Sequence, residues 1–473
     1  MSDVAFEKID VNAYRLKRLP GMQADAVFYA KEEMLPQVTK DRSLLQLMQT
    51  AMLPRLLSPV VAMPDMHEGY GIPVGGIMVG DGLVSAGCVG MDINCGVRLL
   101  TTGLEYDPKI FSREVLLELV LMLERAIPVG LGGEYTSEHP HLALDKIVFD
   151  GVKHLASAGY ATDEDIEHTE EEGRITGAAV IALSDRALKR ARLQLGTLGS
   201  GNHFMELERV SHIFEPEIAK TFGLHENQLC FMIHSGSRAL GHQTCLDYVG
   251  KFFPKEHEWG IEVPNRELAS LPVETKEGAD YLSAMHGAIN FAFANRQMMT
   301  HKFRSMFTGF MKSKGIAADV RLVYDVAHNS AKWEMHRDKR VLVHRKGATR
   351  ALPAGHPDNP KQFARTGHPA FVPGNMATGS YVLVGTPEAV KTYYSVNHGA
   401  GRAMSRTEAK QTISKQEFEK EMGEVVYNKP FRVISDEAPA AYKDLDLVIR
   451  TLEEAGITKR VARLVPLAVI KGD

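Results

Sequence analysis

Apolar positions recur along the chain with two different spacings, which together predict interleaved helices and strands. Leu44, Met48 and Met52 follow the spacing of one helix face and predict a helix from about residue 40 to 57. The same spacing predicts further helices over residues 112–126, 179–195, 281–307 and 441–454. Short apolar runs without helical spacing predict strands over residues 6–14, 204–210, 228–233 and 319–326. The mixture predicts an α+β fold.

Glycine and proline punctuate the regions between these elements. The glycine-rich stretch 60–103 and the section 339–385 predict small strands joined by tight turns. Residues 130–141 predict a loop, and the acidic run 161–174 predicts a solvated surface. No internal repeat or clean linker divides the sequence. We therefore expect one catalytic domain over residues 1–473, with several short sheets and a helical insertion at about 265–315.

Composition removes several classes of protein. The hydrophobic content of 44% and charged content of 24% are those of a globular chain, and the net charge of −4 gives no global basic signal. A nucleic-acid partner would therefore need a local basic patch. Four cysteines without a CxxC pair argue against a disulfide framework or a four-thiolate zinc module. We find no signal peptide and no apolar run of membrane-spanning length, so we expect a cytoplasmic protein with no membrane association.

A set of metal-binding side chains stands next to the apolar runs. Asp92 and Cys95 lie three residues apart in the turn GMDINCG, and His203, His234 and His328 each border a predicted strand. Nitrogen, oxygen and sulfur ligands together suit a borderline-soft divalent ion, and sites built from Cys, His and Asp accept several metals. The set exceeds what one tetrahedral ion needs and would serve two ions if the thiolate bridges them. The alternative is an ordinary turn with an inert buried cysteine and structural histidines.

A glycine loop, NHGAG, carries a candidate nucleophile. His398 is followed by small residues at 399–401, which leave room for an approach to phosphorus, and a neutral imidazole is a competent nucleophile near pH 7. The alternative is a loop histidine that caps a turn. The chain has neither a Walker A motif nor a dinucleotide fingerprint, which argues against the P-loop and Rossmann folds. Arg402 and Arg406 could hold a second phosphate or could be surface residues.

Ten motifs, in order along the chain, together resemble those of the RtcB-type RNA-splicing ligases. They are PDMHEGYGIPVGG, GMDINCGVR, GTLGSGNHFMEL, HSGSR, YDVAHNSAK, HRKGATRA, VPGNMATGSYVL, HGAGRAMSR, DEAPAAYKDLD and LAVIKG. The match runs from about residue 64 to the C-terminus. Two positions depart from the expected pattern: Asn375, where we expect Ser, and Asn397, where a small residue or Cys is more usual.

The resemblance implies a GTP-dependent ligase with two Mn²⁺ ions. Such an enzyme joins RNA ending in a 2′,3′-cyclic phosphate or 3′-phosphate to RNA with a 5′-hydroxyl, in tRNA splicing or RNA repair. His398 would carry GMP, which passes to the RNA 3′-phosphate before the ends are joined. Asp92, Cys95 and His203 would hold one Mn²⁺. Cys95, His234 and His328 would hold the other.

The resemblance also implies which residues contact the nucleotide. They are Asn202, Glu206, Asn329, Pro373, Gly374, Asn375, Met376, Ser380, Gly399, Ala400, Gly401 and Lys471. We expect RNA, including tRNA halves, to bind a groove of arginines. Its candidates are Arg238, Arg345, Arg350, Arg402 and Arg406. An archease-type activator is a further candidate partner.

Two other functions are compatible with parts of the sequence. A Mn²⁺-dependent RNA end-processing phosphoesterase on the same scaffold would keep the metal ligands and no longer use His398. An RNA-binding accessory without turnover would be expected to lose ligands or the nucleophile, and the sequence retains them all.

Overall fold

A computed structural model describes residues 4–135, 139 and 142–472 of the chain. Within these ranges the fold is α+β, as the sequence predicts. The predicted loop at 130–141 lies partly outside the described residues. The strands are β1 (Phe6–Asp10), β2 (Ala13–Leu16), β3 (Ala26–Tyr29), β4 (Leu56–His67), β5 (Val74–Gly80), β6 (Leu83–Ser85), β7 (Gly96–Glu105), β8 (Phe204–Ile213), β9 (Gln228–Ser235), β10 (Ser270–Pro272), β11 (Arg321–Ala327), β12 (Asn329–His336), β13 (Lys339–Lys346), β14 (Ala348–Arg350), β15 (Ala370–Pro373), β16 (Ser380–Gly385), β17 (Ser395–Asn397) and β18 (Thr458–Lys471).

Helices of very different length connect these strands. The α-helices are α1 (Leu35–Val38), α2 (Ser43–Thr50), α3 (Arg113–Ala126), α4 (Leu144–Asp150), α5 (Val152–Ser157), α6 (Asp163–Glu167), α7 (Asp185–Ala191), α8 (Pro216–Thr221), α9 (Arg238–Phe252), α10 (Lys276–Ser313), α11 (Arg406–Thr412), α12 (Lys415–Met422), α13 (Phe431–Ile434) and α14 (Leu445–Glu454). Short 3₁₀ segments are Glu32–Met34, Glu170–Gly173, Val180–Ala182, Phe253–Trp259, Arg266–Leu268, Lys361–Phe363, Pro387–Thr392, Ser435–Glu437 and Pro439–Ala441.

Two seven-stranded sheets dominate the described structure. The first has the order β1-β2-β3-β4-β5-β13-β12 and the second the order β11-β7-β9-β8-β18-β16-β15. Two small sheets pair β10 with β6 and β14 with β17. Successive side chains of β9 enter different apolar clusters on the two faces of the second sheet: Phe231 enters one, Met232 the other. Burial on both faces explains why this strand reads as a continuous apolar run.

Helix α10 is the longest helix described, with 38 residues, and it confirms the helix predicted at 281–307. Thr275 begins it by accepting a hydrogen bond from the amide of Gly278. Every residue from 287 to 300 is buried. The helix within the predicted insertion therefore belongs to the core, and several of its buried residues are polar. The division of the chain into domains stays a prediction.

Three predicted elements are shorter than expected. The helix predicted at 40–57 ends at Thr50, because Pro54 cannot continue it and Arg55 has a positive φ of 55° that turns the chain into β4. The helix predicted at 179–195 is reduced to a 3₁₀ turn and α7, which begins only after Ser184 caps it. The strand predicted at 6–14 is two strands, β1 and β2, divided at Asn12.

The prediction that residues 161–174 form a solvated acidic surface holds for most of the acidic side chains, which are exposed, but it fails for Asp165 and Glu170. Asp165 is 1% exposed and Glu170 is 3% exposed. Arg304 of α10 lies 2.9 Å from Asp165, and Lys332 of β12 lies 2.8 Å from Glu170. The positive partners come from distant parts of the sequence, so the local charge pattern could not reveal that these two carboxylates are buried in ion pairs.

Candidate active site

A cavity of about 340 Å³ is bounded by residues of both large sheets. The chain crosses from the second sheet to the first at His328, where β11 ends and β12 begins. Strands β11, β7, β9 and β8 are successive neighbours in the second sheet. In that sheet Gly96 is opposite both Ser235 and Ala327, and Phe204 is opposite His234. This register carries the ends of four separate chain segments to one point.

The five predicted metal ligands meet at that point. Cys95 Sγ lies 3.3 Å from His203 Nε2 and 3.2 Å from His234 Nε2. His234 Nε2 lies 3.3 Å from His328 Nε2, and His203 Nε2 lies 2.7 Å from Asp92 Oδ2. Two overlapping groups result, Asp92–Cys95–His203 and Cys95–His234–His328, each with its ligand atoms within 4.8 Å of one another. Cys95 belongs to both groups.

The donor chemistry of these groups fits two divalent ions. Burial lowers the pKa of His234 and of His328 well below the usual range, so both rings are neutral and offer a lone pair. Burial, with Asp92 nearby, raises the pKa of the Cys95 thiol well above its usual range. Burial would raise the pKa of Asp92, but His203 outweighs it and the pKa is lowered. A cation is the group that would turn this buried thiol into a thiolate ligand.

The orientation of His203 is set by the chain before it. Its Nδ1 donates to the carbonyl of Leu198 at 3.0 Å, which leaves Nε2 to face Asp92 and Cys95. A backbone partner on the remote nitrogen is the usual way a protein fixes a metal-binding imidazole. The glycine turn around residues 199–201 therefore positions His203, a candidate metal ligand.

His398 lies at the end of β17 and faces the same cavity. Its Nδ1 is 2.8 Å from Oδ2 of Asp65, a buried carboxylate in β4. The same oxygen accepts from the amides of His398 at 3.1 Å and Gly399 at 3.2 Å. The ring centroids of His398 and His328 are 4.8 Å apart. The candidate nucleophile is thus adjacent to the metal-binding cluster, with its Nδ1 tied to Asp65.

Sequence reasoning did not single out Asp65. The available signal was a lone carboxylate in the otherwise apolar run VVAMPDM, which must find a partner when the strand is buried. Glu437 was also missed. It is buried at the cavity wall, and its side chain accepts from Lys471 at 3.0 Å, from Arg402 at 3.2 Å and from the hydroxyl of Tyr442.

Most of the predicted nucleotide contacts line this cavity. They are Asn202, Glu206, Asn329, Pro373, Gly374, Asn375, Met376, Gly399, Ala400, Gly401 and Lys471. Ser380 is different: it is buried, it does not line the cavity, and its hydroxyl donates to Glu208 at 2.8 Å. Asn375 shapes its own loop, because its side-chain oxygen accepts from the amides of Ala377 and Thr378, both at 3.0 Å.

Two glutamates of β8, Glu206 and Glu208, share a buried environment. Burial, with Glu208 nearby, raises the pKa of Glu206 well above its usual range. Burial raises the pKa of Glu208 to about 8. At pH 7 the pair therefore retains at least one proton, and a protonated carboxyl can donate a hydrogen bond as well as accept one.

The predicted arginine groove is only partly present. Arg402 and Arg406 line the cavity. Arg238 is largely buried beside it and donates to Thr197 Oγ1 at 3.1 Å. Arg345 and Arg350 do not line the cavity and are paired with carboxylates, so their part in RNA binding stays a prediction. The partners are Glu334 at 2.5 Å and 2.9 Å for Arg345, and Glu171 at 3.0 Å with Asp358 at 3.4 Å for Arg350.

None of the helices in the described ranges combines the length and apolar character that a membrane crossing requires.

Known proteins resemble this chain over almost its whole length. A family model described as "tRNA-splicing ligase RtcB" matches residues 46–472. The tRNA-splicing ligase RtcB of Thermococcus kodakarensis is 43% identical over 466 residues, covering 96% of this chain and 95% of the relative. The protein of the same name from Aeropyrum pernix is 42% identical over 465 residues, covering 96% of each chain. The RNA-splicing ligase RtcB of Mycobacterium tuberculosis is 40% identical over 447 residues, covering 90% of this chain and all of the relative.

Proposed function

The chain belongs to the RtcB family of RNA-splicing ligases, and on that premise we propose that it is a GTP-dependent ligase of RNA ends. It joins an end bearing a 2′,3′-cyclic phosphate or 3′-phosphate to an end bearing a 5′-hydroxyl. Its substrates are RNAs broken in tRNA splicing or awaiting repair. An archease-type activator is a proposed partner.

One observation carries this proposal: His398 faces the cavity that holds the metal-binding cluster, with its Nδ1 held by Asp65 at 2.8 Å. A ring that donates from Nδ1 keeps its lone pair on Nε2. Nε2 is therefore the atom that attacks the α-phosphorus of GTP. As the N–P bond forms, the bond to the bridging oxygen breaks and pyrophosphate leaves. The carboxylate of Asp65 stabilises the positive charge that develops on the ring.

Where the RNA end is a 2′,3′-cyclic phosphate, water first opens the ring to a 3′-phosphate and a free 2′-hydroxyl. Two further exchanges at phosphorus then complete the proposed reaction. An oxygen of the RNA 3′-phosphate attacks the phosphorus on His398, the N–P bond breaks, and GMP passes to the RNA end. The 5′-hydroxyl of the second RNA then attacks the phosphorus of the activated 3′-phosphate. The new phosphodiester forms, the hydroxyl proton is released, and GMP leaves. Each step needs in-line approach within one cavity, which the small residues Gly399, Ala400 and Gly401 permit.

We assign Asp92, Cys95 and His203 to one Mn²⁺ ion and Cys95, His234 and His328 to the other, because the two groups share only the sulfur. When bound, such ions supply positive charge that offsets the charge of the triphosphate and of the phosphorus centre. We assign Asn202, Lys471 and the loop 373–376 to the nucleotide, and their position in the lining of the same cavity supports this assignment. The raised pKa of Glu206 suits it to a neutral or hydrogen-bonding role toward the base rather than toward a phosphate.

The deciding experiment is self-labelling. We expect the protein, incubated with α-³²P GTP and MnCl₂, to acquire label that is stable in alkali and lost in acid. His398→Ala should lose the label and still bind Mn²⁺, whereas His356→Ala, a half-buried histidine away from the cavity, should label normally. If the wild-type protein takes no label but removes phosphate from RNA ends with Mn²⁺ present, the enzyme is the alternative phosphoesterase. If His398→Ala still takes label, the nucleophile is a different residue.

A further inference from the structure

Beneath the metal-binding cluster, helix α10 carries a fully buried arginine. Arg296 is 0% exposed. Its Nε donates to Asp325 at 3.1 Å and 2.9 Å, and its Nη2 donates to Oδ1 of Asp325 at 2.7 Å. Its Nη1 donates to the carbonyls of Asn94 at 2.7 Å and Ser235 at 2.8 Å. A buried guanidinium is costly unless its donors are satisfied, and this one is held on three sides.

The partners of Arg296 are the neighbours of the metal ligands. Asn94 directly precedes Cys95, and Ser235 directly follows His234. Asp325 lies in β11, three residues before His328. One planar group therefore ties together the three segments that carry the ligands of the second proposed ion, and the thiolate shared with the first.

The backbone is shaped to admit this guanidinium. A Cβ atom at Gly96 would lie 3.2 Å from Cζ of Arg296 and 2.6 Å from the carbonyl of Val326. The glycine that follows Cys95 thus lets β7, β11 and Arg296 approach one another closely.

A second buried arginine, Arg98, also bonds Asp325 but has different remaining partners. It is equally buried and its Nε donates to Asp325 at 2.7 Å. Its remaining donors bond Gln297 and Thr300 on α10 and Thr169 in the segment 161–174. Among the side-chain hydrogen bonds of the described residues, the Arg98 guanidinium makes none to a residue adjoining a proposed metal ligand. Of these two arginines, only Arg296 donates to the residues that directly adjoin Cys95 and His234.

We propose that Arg296 is a positioning residue that sets the geometry of both metal subsites. It fixes the carbonyl before Cys95 and the carbonyl after His234 relative to each other, and so fixes the separation of Cys95 Sγ from His234 Nε2. The inference rests on the metal-binding role proposed above. It predicts that the shape of the guanidinium matters as well as its charge, since the donors of an ammonium all lie on one nitrogen and cannot reproduce the separate positions of Nε, Nη1 and Nη2.

The test compares Arg296→Lys with a matched control, Arg304→Lys. Arg304 lies on the same helix and pairs with a buried carboxylate, Asp165, at 2.9 Å, and its other hydrogen bond goes to the carbonyl of Val320. Both variants lose a two-point contact with an aspartate. Only Arg296→Lys also loses contacts beside the metal ligands.

The readouts are Mn²⁺ affinity by calorimetry and the thiolate-to-cobalt charge-transfer band on titration with Co²⁺. We expect Arg296→Lys to bind each ion about ten-fold or more weakly, as outer partners of metal sites typically require, and to shift or weaken the cobalt band. Arg304→Lys should match the wild-type protein in both. Arg296→Lys with wild-type affinities and an unchanged band would overturn the proposal, and so would equal losses in both variants.

A folding failure does not leave the question open. If Arg296→Lys loses its near-ultraviolet circular dichroism, Asp325→Asn decides, because it keeps the side-chain shape and removes the charge that orients Arg296. We expect it to weaken Mn²⁺ binding and alter the cobalt band. A folded Asp325→Asn with wild-type metal binding would refute the inference. A wild-type protein without any thiolate-to-cobalt band would instead refute the proposed metal site itself.

Discussion

Oδ2 of Asp65 lies 2.8 Å from Nδ1 of His398 and also accepts the backbone amides of His398 and Gly399. The carboxylate is fully buried in β4, and the histidine comes from a loop more than 300 residues later in the chain. A single oxygen therefore fixes both the ring tautomer and the turn that presents the ring. This relationship fixes the His398 ring, the proposed nucleophile, at the wall of the cavity.

The first prediction concerns this contact. We expect Asp65→Ala to slow formation of the GMP adduct by about 10² or more, as is typical when a catalytic imidazole loses its partner. Asp65→Asn should restore the turn but not the charge and should be intermediate. Mn²⁺ affinity should be unchanged in both. Single-turnover labelling at saturating GTP measures the rate.

The control is Asp446→Asn, which alters a carboxylate that accepts the hydroxyl of Tyr381 at 2.6 Å away from the cavity. It should label at the wild-type rate. A wild-type labelling rate in Asp65→Ala would show that the Asp65 contact is structural only.

The second prediction concerns the shared sulfur. Cys95→Ser should weaken both Mn²⁺ ions by about ten-fold or more, because one thiolate belongs to both ligand groups and a hydroxyl is a poor substitute for it. Metal content after dialysis and calorimetry measure this. Cys230→Ala, which truncates another buried cysteine of the same sheet, should retain both ions. One ion at full occupancy in Cys95→Ser would rule out the bridge.

Much of the site could be read from the sequence because its chemistry is concentrated in short glycine-bounded motifs. GMDINCG, GSGNH and NHGAG each contain the functional side chain and the small residues that let the backbone approach. The helical spacing at 281–307 likewise predicted a helix that the structure contains. The spacing could not predict that Asn295, Arg296 and Gln297 of this helix are all buried, since their hydrogen-bond partners come from strands, loops and a helix elsewhere in the chain.

The errors about charged residues share one physical cause, which is pairing with a charge outside the local segment. Glu170 looks solvated in an acidic run, yet it meets Lys332 from β12. Arg345 looks like part of a basic groove, yet it meets Glu334 across the β12–β13 hairpin. The composition of a short segment shows one partner of such a pair but not the other, so it cannot predict that the charge is buried. The same limit hid Asp65, whose partner lies in another sheet.

The third prediction is a dependence of stability on pH that arises at His368. Its Nε2 accepts from the amide of Leu352 at 3.3 Å, and burial lowers its pKa to about 4. The unfolded chain binds this proton near pH 6.5, so the contribution to stability is present above that pH and is lost as pH falls toward 4. We expect a loss on the order of 2 kcal/mol between pH 7 and pH 5 from this residue.

Urea unfolding of the metal-free protein at both pH values measures this loss, with His368→Gln as the variant. Glutamine does not titrate, so the variant should lose about 2 kcal/mol less than the wild-type protein on going from pH 7 to pH 5. His212→Gln, an exposed histidine, should leave the difference between the two pH values unchanged. Equal pH dependence in His368→Gln and the wild-type protein would show that His368 titrates alike in the folded and unfolded chain.

The fourth prediction separates the two kinds of arginine. Arg345 is 1% exposed and its guanidinium meets Glu334, so Arg345→Ala should cost about 3 kcal/mol or more by leaving a buried carboxylate without its main partner. The side chain of Arg406 is 53% exposed at the cavity mouth. Arg406→Ala should therefore change stability by no more than about 0.5 kcal/mol. It should weaken RNA binding and reduce the slope of log affinity against log salt concentration by about one. Denaturation and RNA titrations over a range of salt measure both effects.

The opposite result would support the predicted groove that includes Arg345. In that case Arg345→Ala would be as stable as the wild-type protein but would bind RNA more weakly. That pattern would require Glu334 to release Arg345 to the substrate, which its burial in a network with Arg350 opposes.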